Sequence, residues 1–142
     1  MAAIRVIVAD DQVLVRAGVT SLLKDLGDFE CVASVPDSSQ CLRACSHTAA
    51  DILLLDLHMP GNEDLTLLHT VSEAFPAIKV VILTGDTSPD MVNRCLNRGA
   101  VGFVSKDFVL DELAMALRMV MADRNYISPE VAVSSLRSPR TD

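Results

Sequence analysis

Five polar residues stand at or just beyond the ends of short apolar runs, and their types suit a phosphate or metal site. Asp10 and Asp11 follow residues 4–9, and Asp56 follows 52–55. Thr84 follows 80–83, and Lys106 comes just after 101–104. A charged carboxylate at the end of a buried run is costly unless it is paired, hydrogen-bonded or metal-bound. Two like charges about 4 Å apart repel by about 4 kcal/mol at an effective dielectric near 20, so three clustered carboxylates call for a cation. An all-oxygen ligand set suits Mg²⁺, which keeps waters and commonly meets a phosphate. Lys106 then supplies a point charge and Thr84 a hydroxyl for phosphate oxygens. In outline this is a site where a carboxylate attacks phosphorus. Taken singly, each aspartate has a blander reading as a helix or turn cap.

The elements needed to bring these residues together are legible in the hydropathy pattern. Apolar runs at 4–9, 31–35, 52–55, 80–83 and 101–104 predict five strands, and their lack of strict alternation suits a sheet covered on both faces. Helical stripes fill the gaps: Val15, Val19, Leu22, Leu23 and Leu26; Leu65, Leu68, Val71 and Phe75; Met91, Val92, Cys95 and Leu96; Leu113, Ala116, Leu117, Val120 and Met121. The third stripe opens with Ser88 as cap and Pro89 at the first helical position, and Gly99 closes it. Asp107 or Asp111 stands near the start of the last. Residues 38–49 make the weakest helix, carried by Cys41, Leu42 and Cys45. Strand–helix alternation of this kind predicts a doubly wound parallel α/β sheet. All five polar residues then fall at carboxyl ends of strands, where such sheets bind ligands.

Composition narrows the function classes. The 142 residues carry a net charge of −7, and half are hydrophobic. That suits one domain with a sizeable core and argues against direct nucleic-acid binding by this segment. No apolar run approaches the roughly 20 residues needed to span a bilayer, and the N-terminal run stops at Asp10-Asp11, unlike a secretory signal. The expected location is cytoplasmic, without membrane association. The four cysteines form no CxxC pair. Cys41 and Cys45 with His47 could hold a metal on one helix face, but small buried hydrophobes are the simpler reading.

The stretches VIVADDQVLVRAG, DILLLDLHMPG, VVILTG and GAVGFVSKD closely resemble the receiver domain of two-component response regulators. The resemblance implies a flavodoxin-like sheet of order 2-1-3-4-5 and a phosphoacceptor with self-catalysed phosphotransfer and dephosphorylation, not an enzyme. By the resemblance, Asp56 takes a phosphoryl group from a sensor histidine kinase. Mg²⁺ is held by Asp11, Asp56 and the His58 backbone carbonyl, with Asp10 acting mainly through water. Thr84 is similar to the hydroxyl that moves toward the phosphate, Lys106 to its ion-pairing partner, and Phe103 to the aromatic that turns inward on activation. Phosphorylation is expected to promote a homodimer through the face of strand five and the helices on either side of it, starting near Pro89 and Leu110, with the first and last helices as the competing surface.

DDQVLVRAG and RNYISPEV look most like regulators with a LuxR/NarL-type helix-turn-helix effector. The receiver is expected over residues 1–127, with 128–142 as linker and any DNA-binding effector beyond; a stand-alone regulator acting by protein–protein contact is the alternative. Asp64 stands where the family often has glycine, which predicts an unusual backbone path after Asp56. The His58 side chain is a candidate modulator of phosphate lifetime. A haloacid-dehalogenase-type phosphatase would need an acid at position 58, and a nucleotide- or flavin-binding domain would need a glycine-rich loop where Asp10-Asp11-Gln12 stands.

Overall fold

The computed structural model describes residues 2–86 and 88–129. Strands β1 (Ile4–Ala9), β2 (Phe29–Val35), β3 (Ile52–Asp56), β4 (Lys79–Thr84), β5 (Gly102–Ser105) and β6 (Tyr126–Ile127) alternate with helices α1 (Val13–Leu26), α2 (Ser38–His47), α3 (Thr66–Ala74), α4 (Pro89–Asn97) and α5 (Val109–Met121). The strands form one sheet in the order β2-β1-β3-β4-β5-β6, and every pairing is parallel. The expected order holds for the first five. The sixth strand was not foreseen: two residues are too short to show a period.

The continuous apolar runs are explained by two separate cores. Ile7, Ala9, Leu53, Leu55, Val80, Ile82 and Phe103 pack with α2, α3 and α4. Their neighbours Val6, Val8, Ile52, Leu54, Val81, Leu83 and Val104 pack with α1 and α5. Alternation persists in direction, since successive strand residues face opposite sides, yet both sides are apolar.

Helix ends follow local chemistry. Asp37 caps α2 by accepting from the Gln40 N–H at 2.9 Å, which anchors the helix with the weakest stripe. Ser88 accepts from the Met91 N–H, with Pro89 in the first turn of α4, as the sequence predicts. Before α3 a 3-10 turn spans Glu63–Leu65, where Asp64 (φ 55°) and Leu65 (φ 61°) are both left-handed. Aspartate tolerates this region better than leucine. The unusual backbone path expected at Asp64 is present, and Arg94 of α4 pairs with Asp64 at 2.9 Å.

Packing continues through Ser128, the first residue of the expected linker. Ser128 is buried, its N–H donates to the Phe103 carbonyl at 2.8 Å, and its hydroxyl donates to Glu112 at 3.0 Å. The remainder of the expected linker, from residue 130, lies outside the described residues.

Candidate functional site at the carboxyl edge of the sheet

Register explains why the polar residues meet. Ala9 pairs with Leu55, Asp56 with Leu83, and Thr84 with Ser105. The residues just beyond β1, β3, β4 and β5 therefore reach one edge together. β1 lies between β2 and β3, so the chain switches direction across the sheet beside Asp10 and Asp56. This is where an open α/β sheet leaves a crevice.

One carboxylate oxygen from each of Asp10, Asp11 and Asp56 can be chosen so that all lie within 4.8 Å of one another. Asp10 and Asp56 are buried, whereas Asp11 is exposed. Lys106 Nζ stands 3.0 Å from Asp10 Oδ2 and 3.4 Å from Asp56 Oδ1. The ammonium pairs with Asp10 Oδ2 by distance, but no hydrogen-bond partner is aligned with that buried oxygen. One cation against three carboxylates leaves the cluster negative. The oxygen-only donors and the unsatisfied Asp10 atom fit a hard divalent cation.

Local turns hold the carboxylates. Asp10 Oδ1 accepts from the Gln12 N–H at 2.8 Å, and the Arg16 guanidinium donates to the Asp10 carbonyl at 2.6 Å. Asp56 Oδ1 accepts from the His58 N–H at 3.1 Å. The capping reading thus captures part of the geometry: both aspartates brace a turn with one oxygen. Burial pushes the Asp56 carboxyl above its ordinary range, and the Asp10 charge adds to this; the His58 N–H and the Lys106 ammonium oppose it.

Thr84 is buried at the end of β4, where its Oγ1 accepts from the Asp86 N–H at 3.0 Å. The His58 side chain is exposed beside a groove of about 480 Å³, bounded also by Met59, Pro60, Met91 and Arg94. Phe103 is fully buried in the α2–α3–α4 core, so this conformation has the ring inside rather than at the surface. Its place on β5 between β4 and β6, flanked by apolar neighbours, accounts for that. Cys41 and Cys45 are buried in the same core and His47 is exposed. Among the described residues the carboxylate trio, not this set, forms the metal-sized cluster.

Two site-shaping residues were not singled out from the sequence. Gln12 Oε1 accepts from Lys106 at 3.0 Å. Asn62, buried below the loop after β3, donates to the Leu57 carbonyl and accepts from the Leu67 and Leu68 N–H groups. A glutamine at a helix N-cap, where shorter polar residues are preferred, is the signal that would have found Gln12. Asn62 carries no comparable local signal.

A doubly wound fold with an acidic trio, a threonine and a lysine at one edge defines a class, and the chain belongs to it: the response regulator receiver domain family, whose family model matches residues 6–118. It is 34% identical over 129 residues to response regulator GacA of Pseudomonas aeruginosa, covering 91% of this chain and 60% of that protein. To UvrY of Escherichia coli K12 it is 29% identical, covering 91% and 59%. The chain spans about three fifths of the length of these relatives. Among solved structures it is similar to a LuxR-family two-component response regulator from Aurantimonas sp. SI85-9A1, at TM-score 0.88 and 25% identity over 95% of this chain and 96% of that one. The isolated REC domain of RcsB from Salmonella enterica serovar Typhimurium, with the phosphomimetic BeF3-, superposes at TM-score 0.86 and 24% identity over 93% and 98%. That likeness concerns the fold. No helix among the described residues is long and apolar enough to cross a membrane.

Proposed function

We propose that this receiver takes a phosphoryl group onto Asp56 from the phosphohistidine of a sensor histidine kinase. The observation that carries the reading is the convergence of Asp10, Asp11 and Asp56 with Lys106 at one sheet edge. An Asp56 oxygen forms the bond to phosphorus as the P–N bond to the donor imidazole breaks, and the imidazole leaves with the electron pair. Attack by water later returns the carboxylate and inorganic phosphate. Asp11, Asp56 and the His58 carbonyl would hold Mg²⁺, with Asp10 acting mainly through water. Bound there, the ion would offset charge on the phosphoryl oxygens. Lys106 addresses one of those oxygens and Thr84 another. The exposed His58 side chain is placed to affect the approach of water to the phosphate.

Intact mass after incubation with acetyl phosphate and Mg²⁺ tests the assignment. The wild type should gain one phosphoryl group and Asp56→Asn none, because an amide is a poor nucleophile toward phosphorus. A phosphorylated Asp56→Asn protein would move the acceptor elsewhere. Calorimetric titration should show Asp11→Ala losing more Mg²⁺ affinity than Asp10→Ala; equal affinities in all three proteins would reject the ligand assignment.

The output follows from the same reading. Phosphorylation favours a homodimer that controls a LuxR/NarL-type DNA-binding domain beyond this segment; RcsB, for comparison, has been solved as dimers bound to DNA. Val13 and Leu14 on α1 and Leu110 and Met115 on α5 are large hydrophobics left exposed. Leu14, Val15, Val109 and Leu110 line a small apolar groove that reaches Lys106. This favours the first and last helices as the dimer surface over the face near Pro89.

A further inference from the structure

Gln12 occupies the N-cap of α1 yet makes no capping bond through its side chain. The helix begins without it, through the Gln12 carbonyl accepting from the Arg16 N–H at 3.1 Å. The side chain instead meets the Lys106 ammonium beside Asp10, where its Oε1 takes a 3.0 Å hydrogen bond from Nζ. The ammonium stands 3.0 Å from Asp10 Oδ2 without an aligned hydrogen bond to it, and 3.4 Å from Asp56 Oδ1. An ammonium has three donors. One is committed to Gln12, which leaves two for the carboxylates or for incoming phosphate oxygens.

We infer that Gln12 is a positioning residue for Lys106. Its amide oxygen holds the ammonium at the rim of the crevice, where it can address a phosphoryl oxygen. Without that hold, the third donor is also free to turn onto Asp10 and Asp56, which the ammonium already approaches at 3.0 and 3.4 Å, so it competes more strongly with a divalent cation and masks the attacking oxygen. The backbone of the acidic turn does not depend on this side chain, since the bond to Asp10 Oδ1 comes from the Gln12 N–H. The inference rests on the phosphoacceptor reading above.

The test compares wild type, Gln12→Met, Gln12→Glu, Lys106→Met and the Gln12→Met/Lys106→Met double variant. Each is measured for Mg²⁺ affinity by calorimetry and for the rate of phosphoryl uptake from acetyl phosphate. Methionine keeps the length and removes the acceptor. Gln12→Met should weaken Mg²⁺ binding and slow uptake by roughly threefold to tenfold each, the size of one net hydrogen bond. Gln12→Glu, which keeps an oxygen at the same reach, should stay close to wild type in rate. In the Lys106→Met background the Gln12→Met change should have no effect on Mg²⁺ affinity, because the group it positions is gone. Wild-type values for Gln12→Met, or an equal effect without Lys106, would overturn the inference. A wild type that gains no phosphoryl mass would instead reject the phosphoacceptor reading. Should Gln12→Met fail to fold, Gln12→Asn, too short to reach Lys106, takes its place: slower uptake and weaker Mg²⁺ binding support the inference, and wild-type values overturn it.

Discussion

Asp56 combines two demands that oppose each other. Its burial disfavours the charged form, while the proposed role as nucleophile needs that form. A carboxyl raised above its unfolded value binds more protons in the folded state, so folding stability falls as pH rises through that window. The cost is fully present above the folded pKa, shrinks as pH drops below it and is gone below the unfolded one. Asp56→Asn keeps an oxygen for the His58 N–H and removes the charge. We expect a higher urea midpoint for that variant without metal at neutral pH, with an unchanged slope, and a gap to wild type that narrows on acidification. A midpoint equal to wild type at neutral pH would mean that Lys106 fully offsets the burial. Residue types announced Asp10, Asp11, Asp56, Thr84 and Lys106, because a charge or hydroxyl ending an apolar run is conspicuous in one dimension. The partners that aim them were less visible, since Gln12 and Lys106 are joined only when the sheet closes.

The loop between β3 and α3 is held from beneath by one side chain. Asn62 ties the Leu57 carbonyl on one side to the Leu67 and Leu68 N–H groups on the other, satisfying the first turn of α3 where no ordinary cap exists. Asn62→Ala should leave these buried groups unpaired at a cost of about 2–3 kcal/mol, read as a fall in denaturant midpoint. The same change should loosen the His58 N–H from Asp56 and alter the phosphate lifetime, measured by mass or radiolabel. Strand cores and stripe-bearing helices were legible because burial repeats along them. The weak helix at α2 was also legible, and the Asp37 cap explains why so modest a stripe suffices. Strand β6 was not: Tyr126 and Ile127 form a sheet edge only because β5 offers an unpaired neighbour.

At the scale of the molecule, the proposed phosphoryl group could change which surface is favourable only through contacts that differ between two states. Thr84 provides one, its hydroxyl now accepting from the Asp86 N–H and free to turn toward a phosphoryl oxygen. Sedimentation should show the beryllofluoride-bound protein dimerising more strongly than the unmodified form, and Thr84→Ala losing most of that gain. Leu14→Asp should weaken the dimer further, since it charges the apolar groove between α1 and α5. Identical association in all these proteins would mean signalling without a phosphate-driven dimer.

The chain has one tyrosine and no tryptophan, and that tyrosine sits on β6. Its hydroxyl donates to Glu112 at 2.7 Å, and burial together with this acceptor lifts the phenol well above its ordinary range. The folded state holds the phenolic proton more tightly than the unfolded chain does. This contribution to stability is complete below the ordinary phenol pKa and is lost as pH rises through the folded one. The near-ultraviolet spectrum is consequently a single-site optical gauge of whether the last strand is docked. Glu112→Gln should return the phenolate absorbance toward the pH of free tyrosine. A sheet edge of two residues thereby gives the domain an intrinsic reporter of the point where its chain departs, readable without any label.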